Sequence, residues 1–176
     1  MQINVAQLLK SDIGSVRELE VSGVVDITGG GAESNVGGYV RLLRTDRSIL
    51  VSGTINTEVE LTCSRCLAAF SCPLAFTIEE EYFPVVDVVS GAPLAVPGEP
   101  GSFTIDEHHI LDLTEAVRQY ALLVIPMKPL CREACSGLCP ACGHNLNLGP
   151  CRCPPPPVDP RWAVLTKLNS KQKGTD

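Results

Sequence analysis

Residues 129–154 read PLCREACSGLCPACGHNLNLGPCRCP and hold six of the nine cysteines of the chain. The densest part is Cys139-Pro-Ala-Cys142, which a glycine follows. Two thiolates at this spacing can reach one tetrahedral ion, because the chain between them turns tightly and the glycine accepts the positive φ that such turns use. A second pair, Cys151 and Cys153, can complete a four-sulfur zinc site. The alternative is that these thiols stay free or form disulfides.

Eight of the nine cysteines fall into four close pairs, which are Cys63/Cys66, Cys131/Cys135, Cys139/Cys142 and Cys151/Cys153. We assign one zinc ion to the last two pairs and a second zinc ion to the first two. A swap of pairs fits the spacing as well, and so does a single zinc with the other thiols unbound or with His144 replacing one thiolate. A closed four-thiolate shell leaves no position for water, so the metal is expected to stabilise rather than to catalyse.

Composition places limits on the class of protein. At 176 residues with 44% apolar residues, the chain can bury one core and carry a small appendage. It contains no apolar run of about 18 residues, so no membrane span is expected. The N-terminus lacks the basic start and apolar core of a signal peptide. We therefore expect a cytoplasmic protein, whose thiols bind metal or stay reduced.

The net charge of −6 is unevenly distributed along the chain. Residues 1–127 carry seven Lys and Arg against 17 Asp and Glu, whereas residues 128–176 carry seven against three. A basic, cysteine-rich end on an acidic body favours an anionic partner for that end. Lysines that only keep a tail in solution would give the same count.

Alternation of apolar and polar residues predicts a mainly β body. The predicted strands are Val16 to Ile27, Tyr39 to Arg44, Ile49 to Thr62 and about Phe70 to Phe83. The glycine-rich residues 29–38 are expected to form a flexible connection, and residues 84–101 a long surface loop. Cys63 and Cys66 then lie at a hairpin tip, and Cys72 lies on an apolar strand face as a buried thiol.

One amphipathic helix is predicted after the strands. Its apolar stripe consists of Leu113, Ala116, Val117, Tyr120, Ala121 and Val124. Asp112 and Glu115 have the spacing of a capping box, and Pro126 ends the helix. A second helix is expected from Asp159, and its Trp162 could dock on the body. The predicted fold is α+β, with a mainly antiparallel sheet and packed helix in residues 1–127. Residues 128–176 form a zinc-ribbon-like lobe that ends in the docking helix.

The motifs of common active sites are absent from the sequence. It has no phosphate-binding loop, no dinucleotide fingerprint and no nucleophile elbow, and the zinc-deaminase pattern fails before Cys139. Arg65 and Arg152 each lie between two proposed ligands, where bound zinc would fix the backbone and present the guanidinium to a phosphate. With Arg161 in the basic end, they are the candidate nucleic-acid contacts.

The order of these motifs resembles the YceD family of bacterial and plastid proteins. The resemblance rests on Cys63-Ser-Arg-Cys66, Asp112-Leu113, Gly137-Leu-Cys-Pro-Ala-Cys-Gly143, Leu146-Asn147, Cys151-Arg-Cys153 and Asp159-Pro-Arg161. It implies a non-enzymatic factor that supports accumulation of large-subunit (23S) ribosomal RNA. The implied partner is this RNA or its precursor, or a ribosomal protein of the large subunit that is itself small. Neither a membrane partner nor a small-molecule substrate is expected.

Two other functions remain open at this point. Cys-x-x-Cys pairs also serve as dithiols in redox-sensing proteins when a thiolate is exposed. A zinc-stabilised module that grips a protein and never touches RNA is the other alternative. One or two tightly held zinc ions per chain would argue against redox work, and salt-dependent RNA binding would argue against the pure protein module.

Overall fold

The computed structural model describes residues 1–96, 101–154 and 161. Its elements, in chain order, are β1 (Gln2–Asn4), α1 (Ala6–Lys10), β2 (Val16–Asp26), β3 (Glu33–Arg44), β4 (Ile49–Thr62), β5 (Ala69–Pro84), β6 (Phe103–Ile105), β7 (Ile110–Asp112) and α2 (Thr114–Val124). Strands predominate and two helices accompany them, so the predicted mainly-β, α+β class is confirmed.

The seven strands of the described residues belong to one sheet with the order β1-β7-β6-β5-β4-β3-β2. The pairs are antiparallel except β5 with β6, which is parallel. The chain meanders from β2 to β5, and the short strands β1, β6 and β7 extend the sheet beyond β5. The longest pairing joins β4 to β5 and aligns Thr62 with Ala69 at its end. This pairing fixes the tight connection that carries Cys63 and Cys66.

The core lies on one face of the sheet and under the helices. On β4, Ile49, Val51, Ile55, Thr57 and Val59 are buried, while the residues that alternate with them are more exposed. Such period-two burial is what a half-buried strand requires. The helix α2 buries Ala116, Val117 and Ala121. In addition, the hydroxyl of Tyr120 donates to the carbonyl oxygen of Glu79 on β5 at 3.0 Å.

Several local expectations need correction. The strand β3 begins at Glu33, so the connection after β2 is shorter than the predicted residues 29–38. Backbone pairing with β2 and β4 on both sides keeps Gly37 and Gly38 in the sheet despite their low strand propensity. Cys72 is half-buried rather than buried, because β6 pairs with β5 only at residues 82–84 and leaves the Cys72 end of β5 at the edge of the described sheet.

The predicted capping box does not form. Asp112 accepts a hydrogen bond from the backbone N–H of Thr114 at 2.9 Å. The Glu115 carboxylate, however, accepts from Arg118 and Gln119 along the helix instead of reaching back. The ion pair with Arg118, three residues further along the helix, holds the Glu115 carboxylate in place of the capping contact. The docking helix expected from Asp159 lies outside the described residues, apart from Arg161.

Contacts divide the chain into two compact units. The first comprises Met1–Ser64 and Ala68–Cys131, and contains the sheet and both helices. The second comprises Arg65–Leu67 and Arg132–Asp176. In its described part, turns predominate, and an isolated bridge pairs Leu138 with Asn145. Neither helix of the described residues combines the length and the apolar character that crossing a membrane demands.

Candidate metal centres

The first thiol cluster, centre 1, consists of Cys63, Cys66, Cys131 and Cys135, whose Sγ atoms all lie within 4.8 Å of one another. Cys63 and Cys66 occupy the β4–β5 turn, where the Cys63 N–H donates to the carbonyl of Ala68 at 2.9 Å. Leu67 closes the turn in the left-handed region with φ of 58°. Cys63, Cys66 and Cys135 are buried. The structure thus brings together the two distant pairs, Cys63/Cys66 and Cys131/Cys135, that the sequence analysis assigned to one ion.

The second cluster, centre 2, consists of Cys139, Cys142, Cys151 and Cys153, again with all sulfur atoms within 4.8 Å of one another. The N–H of Gly143 donates to the carbonyl of Cys139 at 2.9 Å, and its φ is 73°. This turn aims both sulfur atoms of Cys-x-x-Cys in one direction. Centre 2 is more open than centre 1, because Cys142 is exposed and Cys151 and Cys153 are half-buried.

Both centres fit a tetrahedral metal ion. A Zn–S bond of about 2.3 Å implies sulfur atoms about 3.8 Å apart in a regular tetrahedron, which lies within the 4.8 Å limit of both clusters. Cys139 and Cys151 have sulfur atoms 3.4 Å apart, far beyond the roughly 2.0 Å of a disulfide bond. Four sulfur donors and no carboxylate suit a soft or borderline ion such as zinc rather than magnesium or calcium. His144 is not among the grouped ligands.

The thiols of centre 2 differ strongly in acidity. Backbone N–H groups of Cys142 and Ala141, together with the Cys151 thiol, stabilise the Cys139 thiolate and lower the pKa of Cys139 to about 6. The neighbouring Cys142, burial and Cys139 raise the pKa of Cys153 to about 12. Four sulfurs so close together cannot all ionise without a cation, since like charges repel. The arrangement therefore favours metal binding with release of the remaining protons.

Hydrogen bonds around the sulfur atoms hold the ligand loops in place. Arg65 Nη1 donates to the carbonyl of Cys135 at 3.0 Å and to that of Glu133 at 3.5 Å. Asn147 Nδ2 donates to the Cys135 sulfur at 3.3 Å. Outer contacts of this kind orient metal ligands. Asn147 was missed as a metal-site residue from sequence; its only signal was its place in the Leu146-Asn147 motif.

The three arginines predicted to contact nucleic acid have different surroundings. Arg65 is exposed, but its guanidinium already donates to two backbone carbonyls. Arg152 is exposed between Cys151 and Cys153. Arg161 is exposed as well. RNA contact by these residues stays a prediction. Both Arg65 and Arg152 lie between two proposed metal ligands, and Arg65 differs in that its guanidinium donates to backbone carbonyls.

The exposed face of the sheet is acidic. Its register places Glu18 beside Arg41, Ser52 and Glu79 in one cross-strand row. The exposed glutamates on this face are Glu18, Glu20, Glu58, Glu60, Glu79 and Glu81. Phosphate groups are repelled by such a face, so the sheet is the less suitable surface for nucleic acid.

Comparison with known proteins identifies the family. The family model described as "Large ribosomal RNA subunit accumulation protein YceD" matches residues 51–169, which is more than half of the chain. The chain belongs to the YceD family. The matched range includes every cysteine of both centres. At the level of the YceD family, the role is therefore ribosome biogenesis through accumulation of large-subunit ribosomal RNA.

Relatives of this YceD chain include uncharacterized mycobacterial proteins. One from Mycobacterium leprae is 26% identical over 136 residues, which cover 73% of this chain and 57% of that protein. Others from Mycobacterium bovis and Mycobacterium tuberculosis are 26% identical over 143 residues, which cover 77% of this chain and 63% of theirs. The chain thus spans about 57% to 63% of the length of these relatives. No solved structure matches it.

Proposed function

We propose that this protein is a non-enzymatic, cytoplasmic ribosome-biogenesis factor that supports 23S ribosomal RNA accumulation and large-subunit assembly. Two zinc ions, one at each centre, hold the loops of its cysteine-rich region in place. This region contacts ribosomal RNA or an assembling ribosomal protein. The observation that carries the proposal is the pair of four-sulfur clusters inside the region that matches the YceD family.

The donor sets support a structural rather than a catalytic role for zinc. Each cluster offers four sulfurs, which fill a tetrahedral shell and leave no open position for a substrate or water. A catalytic zinc site keeps such a position open and places a general base beside it. Zinc in these centres would fix irregular loops that have little other secondary structure, so that their surface side chains take defined positions.

Charge determines how such a region can meet RNA. A zinc ion with four thiolates carries a charge of about −2. The positive charge of the lysines and arginines in residues 128–176 is therefore first offset by the negative charge of the two centres. Contact with phosphate then depends on where individual guanidinium groups lie rather than on net charge alone. Arg152 is exposed between two ligands of centre 2, which makes it the leading contact.

A second candidate is contact with a basic protein alone. The exposed glutamates of the sheet favour it, because six carboxylates face solvent there with Arg41 as the opposing charge. Ribosomal proteins are cationic as a class, so an acidic sheet would attract them at long range. This candidate requires no direct RNA contact.

Crosslinking in cells followed by sequencing of bound RNA tests the proposal. We expect enrichment of large-subunit ribosomal RNA or its precursor, and loss of large subunits when the gene is deleted. Arg152→Glu should weaken binding of purified protein to the enriched RNA and flatten its salt dependence. Arg47→Glu, a change at an exposed arginine of the acidic body, is the matched control.

The outcomes separate the two candidates. No enrichment of ribosomal RNA and no loss of large subunits would end the proposal. Loss of large subunits with crosslinks to protein but not to RNA would favour the basic-protein candidate. In that case, charge reversal of Glu58 and Glu60 on the sheet should reduce the crosslinks while Arg152→Glu does not.

A further inference from the structure

Asn147 belongs to one metal centre by sequence and to the other by contact. It lies in the loop between Cys142 and Cys151, both of which are ligands of centre 2. Its side-chain amide nevertheless donates from Nδ2 to the Sγ atom of Cys135, a ligand of centre 1, at 3.3 Å. The loop that centre 2 closes therefore delivers a hydrogen bond to centre 1.

The orientation of the Asn147 amide is fixed by its partners. Its Oδ1 accepts from the N–H of Ser136 at 2.9 Å and from Arg132 Nη2 at 2.6 Å. Because both partners are donors, the oxygen must face them, and the nitrogen must face the Cys135 sulfur. An amide supplies an acceptor on one side and a donor on the other, which neither a carboxylate nor an apolar side chain does.

The loop itself holds Asn147 at this position. Asn145 Oδ1 accepts from the backbone N–H of Asn147 at 3.0 Å and from its Nδ2 at 2.8 Å. The N–H of Leu146 donates to the carbonyl of Gly137 at 2.9 Å, and the N–H of Cys139 donates to the carbonyl of His144 at 2.8 Å. The loop is thus fastened along its length and tied at both ends by ligands of centre 2.

We propose that Asn147 couples the two centres, so that metal binding at centre 2 raises the metal affinity of centre 1. A metal ion at centre 2 fixes the ends of the loop and reduces the entropy lost when Asn147 meets Cys135. The N–H···S bond then favours the thiolate that binds metal at centre 1. Thermodynamic linkage makes the effect reciprocal. This inference rests on metal binding alone and is independent of any contact with RNA.

Cobalt and cadmium titrations of the full chain test the coupling. Thiolate-to-cobalt absorption reports filling, and cadmium NMR gives a separate signal for each centre. Asn147→Asp keeps the acceptor for Ser136 and Arg132 but loses the donor to Cys135, and it places a carboxylate near the sulfur. We expect it to weaken metal binding at centre 1 by about 10-fold or more, the usual effect of losing an outer-shell partner. Asn147→Leu should act in the same direction.

The decisive comparison removes centre 2. In a Cys151→Ser/Cys153→Ser double variant, centre 1 should bind metal more weakly than in the unchanged chain, and Asn147→Asp should then cost much less than it does with centre 2 intact. This non-additivity is the signature of coupling, because a purely structural Asn147 would act equally in both backgrounds. Leu148→Ala, a change at a neighbouring side chain that is 81% exposed, is the matched control.

Two results would overturn the proposal. One is an unchanged affinity of centre 1 in Asn147→Asp. The other is an equal effect of Asn147→Asp with and without centre 2. If the double variant unfolds, the reciprocal measurement replaces it: Cys135→Ser should weaken cadmium binding at centre 2, and an unchanged affinity there contradicts the coupling.

Discussion

Gly38 of β3 lies so close to β4 that a Cβ atom on it would stand 2.1 Å from the carbonyl oxygen of Thr54. The approach is mutual, since a Cβ atom on Gly53 of β4 would stand 2.3 Å from the carbonyl oxygen of Tyr39 on β3. Two backbones therefore meet at a distance that only glycine permits. This contact joins β3 to β4, and β4 is the strand that leads into the hairpin of centre 1.

Gly38→Ala is accordingly expected to lower the free energy of unfolding by about 2–4 kcal/mol, because backbone atoms on both strands must move to admit the methyl group. Gly37 supplies the matched control. A Cβ atom on Gly37 would meet nothing nearer than the Val21 carbonyl oxygen at 3.9 Å, so Gly37→Ala should change stability by less than about 1 kcal/mol. Urea denaturation of the metal-loaded variants measures both. Equal losses for the two alanines would show that the close approach is not what limits the sheet.

Each chain should hold two metal ions. Native mass spectrometry and elemental analysis of protein purified under reducing conditions should give two zinc ions, and Cys66→Ser or Cys142→Ser should each remove one. Cys72→Ser should leave two, because Cys72 belongs to neither cluster. Metal-free protein whose cysteines cycle rapidly through disulfides would contradict this expectation and support the redox alternative.

The two centres should lose metal at different rates. Cys63, Cys66 and Cys135 of centre 1 are buried, whereas Cys142 of centre 2 is exposed. A chelator must reach the ion or wait for the site to open, so we expect a fast phase of release from centre 2 and a slow phase from centre 1. Release into excess chelator, followed by a colorimetric zinc indicator, measures both phases.

The control for the release experiment is Cys142→Ser, which should abolish the fast phase and retain the slow one. If this variant instead lost the slow phase, the assignment of accessibility to the two centres would be wrong.

The stability of the sheet should depend on the ionisation of Asp112. Burial opposes its charge, but hydrogen bonds from the Thr114 hydroxyl and N–H, and from the Met1 ammonium group at 3.0 Å, lower the pKa of Asp112 to about 2. A folded-state pKa below the unfolded value stabilises the fold at neutral pH, and this contribution disappears as pH falls from about 4 to about 2. The side chain is 45% exposed, so solvent screening limits the contribution to about 1 kcal/mol.

Asp112→Asn should therefore lower stability at pH 7 by up to about 1 kcal/mol, and the difference from the unchanged chain should shrink at acidic pH. Thermal unfolding from pH 7 to pH 3 measures the difference. Asp12→Asn, at an exposed aspartate, is the control and should show no such trend. A constant difference across this range would contradict the role of the Asp112 charge.

The parts of the fold that the sequence predicted are those with a strong local pattern. Alternation in Ile49–Thr62 predicted β4 with its boundaries and its buried face. By contrast, β1, β6 and β7 contain three residues each, too few to show a period. They exist because β5 offers its edge to β6, a long-range pairing that no local pattern encodes. The same is true of Gly37 and Gly38, whose neighbours rather than their own propensity place them in a strand.

The candidate site, too, has one part that a local sequence pattern predicts and another part that depends on long-range contacts. Close spacing predicted the four cysteine pairs, because two thiolates on one turn can share an ion. The grouping of Cys63 and Cys66 with Cys131 and Cys135 was the preferred assignment, but a swap of pairs or a single zinc also fits the spacing, because spacing carries no information on long-range contacts. Asn147 was out of reach for a different reason. Its role depends on a contact between two loops, and an asparagine near cysteines is common in turns.

The sheet order implies a sequence of events during synthesis. Strands β2 to β5 are neighbours along the chain as well as in space, so this meander can form once residue 84 has left the ribosome. The strand β1 is made first, yet its partner β7 begins at Ile110. Residues 2–4 must therefore wait, unpaired, for more than a hundred residues. A nascent chain stalled before β6 would present the four-stranded meander with its β5 edge open to pairing with another chain.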